Sequence, residues 1–191
     1  MSTPQDEINL ETGSGLELSH LLLPIQPEDH VQGPAGARLT LVEYGDYQCP
    51  ACGVLFATIR ELHEKLANDI RIVYRHYPLS GSHPHAQQAA EAAEAAGAQG
   101  KFWEMHDLLY AGYPDISRAT VMGYARKLGL DITRFTAEVN SHKYAARVAA
   151  EEKEGESVDV AGTPTFFING KKFNETFDEA TVAPLIRNEL K

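Results

Sequence analysis

The feature that most constrains the fold is a strand–helix–strand pattern in the N-terminal half of the chain. Residues 38–44 (RLTLVEY) and 70–77 (IRIVYRHY) are rich in β-branched and aromatic side chains, which is typical of buried strands. Between them, apolar residues recur at helical spacing from Pro50 to about Ala67. Such a βαβ unit has parallel strands and a right-handed crossover. The pattern therefore predicts an α/β fold.

The rest of the chain places a block of helices between two groups of strands. After Pro84 the pattern is helical to about residue 158, beginning with an Ala-, Gln- and Glu-rich segment that strongly favours helix. Strands return at 165–168 and 171–173, joined by Asn-Gly, which is a strong hairpin signal. A last helix is predicted over 178–190. The predicted order is βαβ, helical block and ββα.

The domain organisation follows from length and composition. A chain of 191 residues is most simply one domain. Residues 1–36 are rich in Pro, Gly and acidic residues and show little periodicity, so we predict an arm or edge segment there. We expect the domain to span 37–191, with the helical insertion at about 84–158.

The charge and the N-terminal residues exclude several classes of partner. The net charge of −10 is unfavourable for binding nucleic acid or an anionic membrane surface. The N-terminal residues carry no positive region, and the apolar run at 21–25 is too short for a signal sequence or a membrane span. We therefore expect a cytoplasmic protein with neither nucleic acid nor membrane as a partner.

The only two cysteines, Cys49 and Cys52, lie together in GDYQCPACG at the end of the first strand. They could form a structural pair, a metal site or a redox centre. A chain of this length buries roughly 70% of its unfolded surface without a disulfide, and a bridge across so short a loop would restrict the unfolded chain little. A metal site would need His83 and His85, and His-x-His is not the usual ligand spacing. We therefore favour a redox centre and expect no metal.

The position of the pair assigns a different role to each thiol. Pro50 suits the first position of a helix, which makes Cys49 the N-cap residue. Its sulfur would then face the free N–H groups of Ala51 and Cys52 and the positive end of the helix dipole, so we expect its pKa to fall below the free value of about 8.5. Cys52 lies one turn deeper. We expect Cys49 to attack a disulfide and Cys52 to resolve the mixed disulfide, without a cofactor.

A family resemblance rests on the strand–CPAC–helix unit, the helical insertion and the closing GTPTFFING of residues 162–170. From about Asp29 to the C-terminus the chain resembles the DsbA-like branch of the thioredoxin superfamily. The resemblance implies a thioredoxin-like fold with a helical insertion between the βαβ and ββα halves. It also implies disulfide exchange with protein or peptide thiols, with glutathione or a thioredoxin system as redox partner.

The resemblance also implies a substrate-binding surface. Pro164 matches the cis-proline that the family places beside the active-site disulfide. The preceding residue, Thr163, would offer its backbone to an extended substrate and its hydroxyl to the thiolate. We assign Pro50, Ala51 and Tyr47 to the same surface.

Glu43, six residues before Cys49, matches a buried acid that the family places near the resolving cysteine. Such an acid would have a raised pKa and could accept or deliver the proton of Cys52; alternatively, Glu43 faces water at a sheet edge. Arg75 on the next strand is a possible charge partner. Ala51 stands where strongly oxidising members have histidine, so we expect a less acidic Cys49 and a less oxidising disulfide. The direction of electron flow is left open.

Two other functions fit the same scaffold. One is a glutathione-dependent transferase or isomerase whose insertion forms a substrate pocket, although such enzymes commonly lack the second cysteine. The other is a non-enzymatic module that binds peptides beside Pro164 and needs no acidic thiol. His83 and His85 are expected to end a loop and begin a helix, and the sequence does not assign them a role in either function.

Overall fold

A single five-stranded sheet organises the chain in the computed structural model, which describes residues 24–174. The elements in this range are β1 (His30–Gln32), β2 (Leu39–Gly45), α1 (Pro50–Lys65), β3 (Ile70–His76), α2 (Ala86–Gly97), α3 (Phe102–Ala111), α4 (Arg118–Lys127), α5 (Ile132–Asn140), α6 (Ala145–Ser157), β4 (Thr165–Ile168) and β5 (Lys171–Phe173). No helix in this range is both long and apolar enough to cross a bilayer.

The sheet has the strand order β1-β3-β2-β4-β5. Strands β2 and β3 are parallel and are joined through α1, whereas β1, β4 and β5 run antiparallel to their neighbours. Helices α2 to α6 lie between β3 and β4 in the chain. The predicted α/β fold, with its helical insertion between a βαβ half and a β-hairpin, is confirmed.

The turn between β4 and β5 shows why the Asn-Gly pair predicted a hairpin. Asn169 and Gly170 both have positive φ, 47° and 79°, which a two-residue turn of this kind requires and which these residue types tolerate. The Asn169 side chain also accepts a hydrogen bond from Thr40 N at 2.7 Å. The turn therefore ties the hairpin to the start of β2.

The N-terminal edge of the sheet lies inside the segment predicted as an arm or edge. Residues 30–32 form β1, which pairs antiparallel with β3 and sets Val31 opposite Val73. The sheet thus begins before the boundary we placed at residue 36. The first 23 residues of the predicted arm and the predicted helix over 178–190 lie outside the described residues.

The two faces of the sheet bury different sets of side chains. The face toward α1 holds Leu39, Leu41, Ile70, Ile72 and Phe166 against Ile59 and Leu62. The opposite face holds Val42, Tyr44, Val73 and Phe167 against Tyr77, Val158 and Val160. Because successive side chains of a strand point to opposite faces, Glu43 lies on the α1 face and Arg75 on the opposite one.

Candidate active site

The two cysteines lie where β2 passes into α1. Cys49 is the N-cap residue of α1, with φ −75° and ψ 123°, and Pro50 is the first residue of the helix. Gly53 N donates the first helical hydrogen bond to Cys49 O at 3.1 Å. Both cysteines are free thiols; Cys49 is buried except for a small exposed fraction, and Cys52 is fully enclosed. This local arrangement agrees with the one expected from the C-P-x-C order.

The pKa of Cys49 is lowered to about 5. The largest cause is a hydrogen bond from the Cys52 thiol; burial opposes it, and the backbone N–H groups of Cys52 and Ala51 lower the pKa further. The sequence pointed to the backbone amides as the main cause, whereas the structure puts the neighbouring thiol first. Cys49 can therefore be a thiolate at neutral pH while Cys52 keeps its proton.

Residues far apart in the chain meet at the Cys49 sulfur. The Thr163–Pro164 peptide bond is cis, and Thr163 O lies 3.2 Å from Cys49 Sγ, within reach of the S–H group. Thr163 and Pro164 are half-buried, and Pro50 and Ala51 are exposed. These four predicted residues therefore lie on accessible surface, and Thr163 is in direct contact with the sulfur.

Glu43 is buried on the α1 face of the sheet, 3% exposed. Its Oε1 atom has no hydrogen-bond partner among residues 24–174. Burial, with a smaller contribution from the Cys49 charge, raises the pKa of Glu43 to about 8. The pKa of Cys52 is raised as well, chiefly by burial and in part by its hydrogen bond with Cys49 and by the charge of Glu43. Of the two placements considered for Glu43, the structure has the buried one.

Arg75 is not the charge partner of Glu43, which corrects the expectation from the sequence. In the β2–β3 register Glu43 lies opposite Tyr74, and Tyr44 lies opposite Arg75, so the acid and the guanidinium occupy opposite faces. Arg75 instead donates to Asp29 Oδ2 at 2.7 Å, to the Tyr44 hydroxyl at 3.1 Å and to a Glu154 carboxylate oxygen. Tyr44 therefore belongs to the Arg75 face of the sheet.

Tyr47 does not lie on the substrate-binding surface to which the sequence assigned it. The side chain is 1% exposed, with its ring stacked on Tyr74 at a centroid distance of 5.3 Å. Its hydroxyl oxygen lies 3.2 Å from His106 Nδ1 of α3. The ring therefore fills the core between the sheet and the helical insertion, where no substrate can reach it.

Asp46 organises the turn before Cys49, and the sequence did not single it out. It is buried, its backbone oxygen accepts from Cys49 N at 3.1 Å, and its Oδ1 accepts from Gln48 N at 2.7 Å. Its Oδ2 accepts from Leu79 N at 2.9 Å. A signal for this role was present, because Asp directly after a strand often bonds the backbone two residues on.

The two histidines at the start of the insertion tie its loop to the same turn. His83 Nδ1 lies 2.7 Å from Asp46 Oδ2, and His85 N donates to Gln48 Oε1 at 2.7 Å. The partner of His83 is thus a carboxylate and not a thiolate. This placement gives His83 and His85 a positioning role and provides no support for the Cys2His2 metal site considered above.

The surface around Cys49 is partly apolar. Val54, on the second turn of α1, is 72% exposed, and the exposed ring of Tyr113 packs beside Gly53. A shallow pocket of about 250 Å³ opens next to Pro164; it is lined by Leu55, Pro164, Thr165, Phe166, Lys172, Phe173 and Asn174. The surface next to the sulfur therefore offers apolar side chains.

Comparison with known proteins links this geometry to one family. A family model described as thioredoxin matches residues 26–188. The Na(+)/H(+) antiporter NhaA 1 of Salinispora arenicola is 47% identical over 159 residues, which are 83% of this chain and 24% of the antiporter. The chain thus spans about a quarter of the length of the curated relatives that it matches.

Solved structures show the same fold over nearly the whole chain. BdbD from Bacillus subtilis matches with a TM-score of 0.80 and 21% identity, over 90% of this chain and 97% of that one. A thioredoxin-like oxidoreductase from Silicibacter pomeroyi matches with a TM-score of 0.75 and 26% identity, over 85% and 92% of the two chains. Proteins named DsbA, from Wolbachia pipientis and Mycobacterium tuberculosis, are also similar.

Proposed function

Because the chain belongs to the thioredoxin family and has the DsbA-type fold, we propose that it is a thiol-disulfide oxidoreductase that uses Cys49 and Cys52. Its substrates are the thiols and disulfides of proteins or peptides. The observation that carries the proposal is the environment of Cys49 at the start of α1. The Cys49 sulfur lies 3.2 Å from Thr163 O, and the pKa of Cys49 is lowered to about 5.

The first step is attack by the Cys49 thiolate on a substrate disulfide. A bond forms between Cys49 Sγ and one substrate sulfur, while the substrate S–S bond breaks and its electron pair leaves with the other sulfur. The low pKa keeps Cys49 ionised at neutral pH and also makes it a good leaving group in the reverse reaction.

The second step is attack by Cys52 on Cys49 Sγ, which forms the intramolecular disulfide and releases the reduced substrate. Cys52 must lose its proton to attack, and in this proposal buried Glu43, whose charge acts on the pKa of Cys52, accepts it. With a pKa of about 8, Glu43 is mostly protonated at neutral pH, so it is also suited to return a proton to Cys52 when the reaction runs backward.

Substrate binding in this proposal depends on the backbone beside Pro164. Thr163 and Pro164 are accessible next to Cys49 and can pair with an extended peptide, which gives affinity without demanding one sequence. Val54 and Tyr113 supply an apolar border to the same surface. The favoured substrates are therefore extended segments with apolar residues near a cysteine.

The direction of electron flow is expected to follow the redox potential. Thioredoxin lies at about −270 mV and DsbA at about −120 mV. Ala51 adds no donor or charge beside Cys49, so we propose a potential between these two values, with glutathione or a thioredoxin-type protein as partner in a cytoplasmic setting. Equilibration in glutathione buffers measures the potential, and a value at or above that of DsbA would contradict this assignment.

Reduction of insulin disulfides by wild-type protein, Cys49→Ser and Cys52→Ser tests the proposal. Wild type should be active and Cys49→Ser inactive, because only Cys49 is partly exposed, at 5%, and has a lowered pKa. Cys52→Ser should accumulate the mixed disulfide, since nothing resolves it. Both variants can be compared with wild type for folding by circular dichroism.

Two further measurements separate the two other functions. Activity of Cys52→Ser on a small electrophile with glutathione would indicate a transferase or isomerase. A Cys49 pKa at or above that of a free thiol, measured by ultraviolet absorbance of the thiolate, would instead favour a binding module. An inactive wild-type protein would refute the proposed exchange reaction.

A further inference from the structure

A second cluster of ligating side chains lies where β1, β3 and α2 meet. His30 Nε2 is 2.6 Å from Glu94 Oε1, and His76 Nε2 is 3.1 Å from the same oxygen. The three ligating atoms all lie within 4.8 Å of one another. We propose that His30, His76 and Glu94 form a binding site for a divalent metal ion of the Zn²⁺ type, independent of the thiol chemistry at Cys49.

The donor set decides the class of metal. Two imidazole nitrogens and one carboxylate oxygen suit Zn²⁺, whereas Ca²⁺ and Mg²⁺ prefer oxygen ligands alone. In a tetrahedral zinc site with bonds of about 2.0–2.1 Å, neighbouring ligand atoms lie about 3.4 Å apart. Each pair in the cluster reaches that spacing by moving less than about 1.5 Å, and a water molecule can take the fourth position.

The two oxygens of the Glu94 carboxylate have different neighbours. Its Oε1 faces the two imidazoles, while its Oε2 lies 2.9 Å from Arg147 Nε. Arg147 also lies 3.3 Å from Glu151 Oε1, so the guanidinium is shared between two glutamate side chains. Arg147 is therefore an ion-pair neighbour of the Glu94 oxygen that points away from the two imidazoles.

The ring of one imidazole is held by stacking, and the other imidazole is free to change tautomer. The His30 ring stacks on Phe102 at a centroid distance of 3.3 Å and an interplanar angle of 5°. His76 Nδ1 is buried and has no hydrogen-bond partner in the described part of the chain. The His76 proton can therefore move from Nε2 to Nδ1, which leaves the Nε2 lone pair for the metal.

An ion at this position would join three parts of the fold. His30 lies on the short edge strand β1, His76 at the end of β3 and Glu94 in the first helix of the insertion. The His30 side chain is 16% exposed, which provides access for the ion, while the other two ligands are buried. Since β1 has only three residues, a metal cross-link to the sheet and to α2 should stabilise this edge.

Zn²⁺ binding to untagged, oxidised protein tests the proposal, because closing the Cys49–Cys52 disulfide prevents the thiolates from binding metal. Calorimetric titration should give one equivalent of Zn²⁺, and Co²⁺ should give the visible absorption bands of a four-coordinate site. Loss of a direct ligand in His30→Ala or Glu94→Gln should weaken binding by at least about 100-fold. Zn²⁺ should raise the unfolding temperature of wild type and not of His30→Ala.

His142→Ala is the matched control, because His142 Nδ1 also pairs with a buried glutamate, Glu91, at 3.2 Å but lies outside the cluster. This variant should bind Zn²⁺ like wild type. His30→Ala is the informative ligand variant, since a partly exposed side chain at a sheet edge can be truncated without emptying the core. Absence of a one-to-one complex, or unchanged affinity in folded His30→Ala and Glu94→Gln, would overturn the proposal.

Discussion

Each face of the central sheet buries one ionisable side chain, and the two side chains differ in their hydrogen-bond partners. Glu43 and Arg75 occupy adjacent register positions of β2 and β3, but they point to opposite faces and are 3% and 0% exposed. Arg75 is surrounded by Asp29, Tyr44 and Glu154, which accept its N–H groups. Glu43 has one carboxyl oxygen without a partner in the described part of the chain.

The difference follows from what each group can do when water is removed. A guanidinium cannot lose its proton in a protein, so its burial requires acceptors for its N–H groups. A carboxyl group can instead take up a proton, and burial raises the pKa of Glu43 to about 8. The paired charge keeps its acceptors, and in our proposal the buried acid exchanges a proton with Cys52.

Removal of Arg75 should have the largest effect on stability. Arg75→Ala leaves the buried Asp29 and the partly buried Glu154 without their cation, which should lower the free energy of unfolding by about 3–5 kcal/mol. Urea unfolding at neutral pH measures this loss. Disulfide exchange per folded molecule should stay the same, because no Arg75 contact involves either cysteine. A loss below about 1 kcal/mol would show that the ion pairs contribute little.

Glu43→Gln should mainly change the rate. Loss of a positioned proton acceptor is expected to slow the Cys52 step by about 100-fold, which corresponds to about 2.7 kcal/mol in the barrier. Rapid quenching of the reaction and quantification of the mixed disulfide measure this step. Glu154→Gln, on the other face, is the control and should leave the rate at the wild-type value. Equal rates in Glu43→Gln and wild type would remove Glu43 from the mechanism.

The pH dependence of stability should have opposite signs in two variants. The pKa of Glu43 in the folded protein is raised from 4.5 to about 8. Its contribution to the free energy of unfolding is therefore complete below pH 4.5 and is lost as the pH rises toward 8. The pKa of Cys49 in the folded protein is lowered from 9.0 to about 5. Its contribution to the free energy of unfolding therefore grows as the pH rises from 5 to 9. In reduced wild-type protein these two dependences largely cancel between pH 5 and 8.

Each variant exposes one of the two dependences. Reduced Glu43→Gln should become more stable with rising pH, and Cys49→Ser less stable, each by up to about 1.4 kcal/mol per pH unit. Urea unfolding at several pH values between 5 and 8 under reducing conditions measures both slopes. Slopes of the same sign in the two variants would contradict the assignment of these pKa values.

The sequence predicted the parts of the fold that depend on local pattern. Long β-branched runs gave β2 and β3, Asn169-Gly170 gave the hairpin, and the Pro50 position gave the N-cap at Cys49. The sequence predicted only an arm or edge segment where strand β1 lies, because a strand of three residues is too short to show a periodic pattern. The contact between Thr163 and Cys49 could be predicted only from the family resemblance.

The parts that failed depend on tertiary placement. Assigning Arg75 to Glu43 required the register of two parallel strands, and a shift of one residue reverses the face. Tyr47 belongs to a turn whose direction no periodic pattern reveals. The His30, His76 and Glu94 cluster gave no motif, because Glu94 lies 64 and 18 residues from the two histidines.

The smallest predicted effect compares two buried tyrosines that lie opposite the two charged residues. The Tyr44 hydroxyl accepts from Arg75 and donates to Glu154 Oε1 at 2.9 Å, whereas the Tyr74 hydroxyl lies 2.9 Å from the neutral Tyr110 hydroxyl. Hydrogen bonds to charged groups contribute more, so Tyr44→Phe should destabilise by about 2 kcal/mol and Tyr74→Phe by about 1 kcal/mol. Urea unfolding of both variants gives the difference. Equal losses would mean that the charge of Arg75 adds nothing to its hydrogen bonds, and the contrast between the two faces would then rest on the proton chemistry of Glu43 alone.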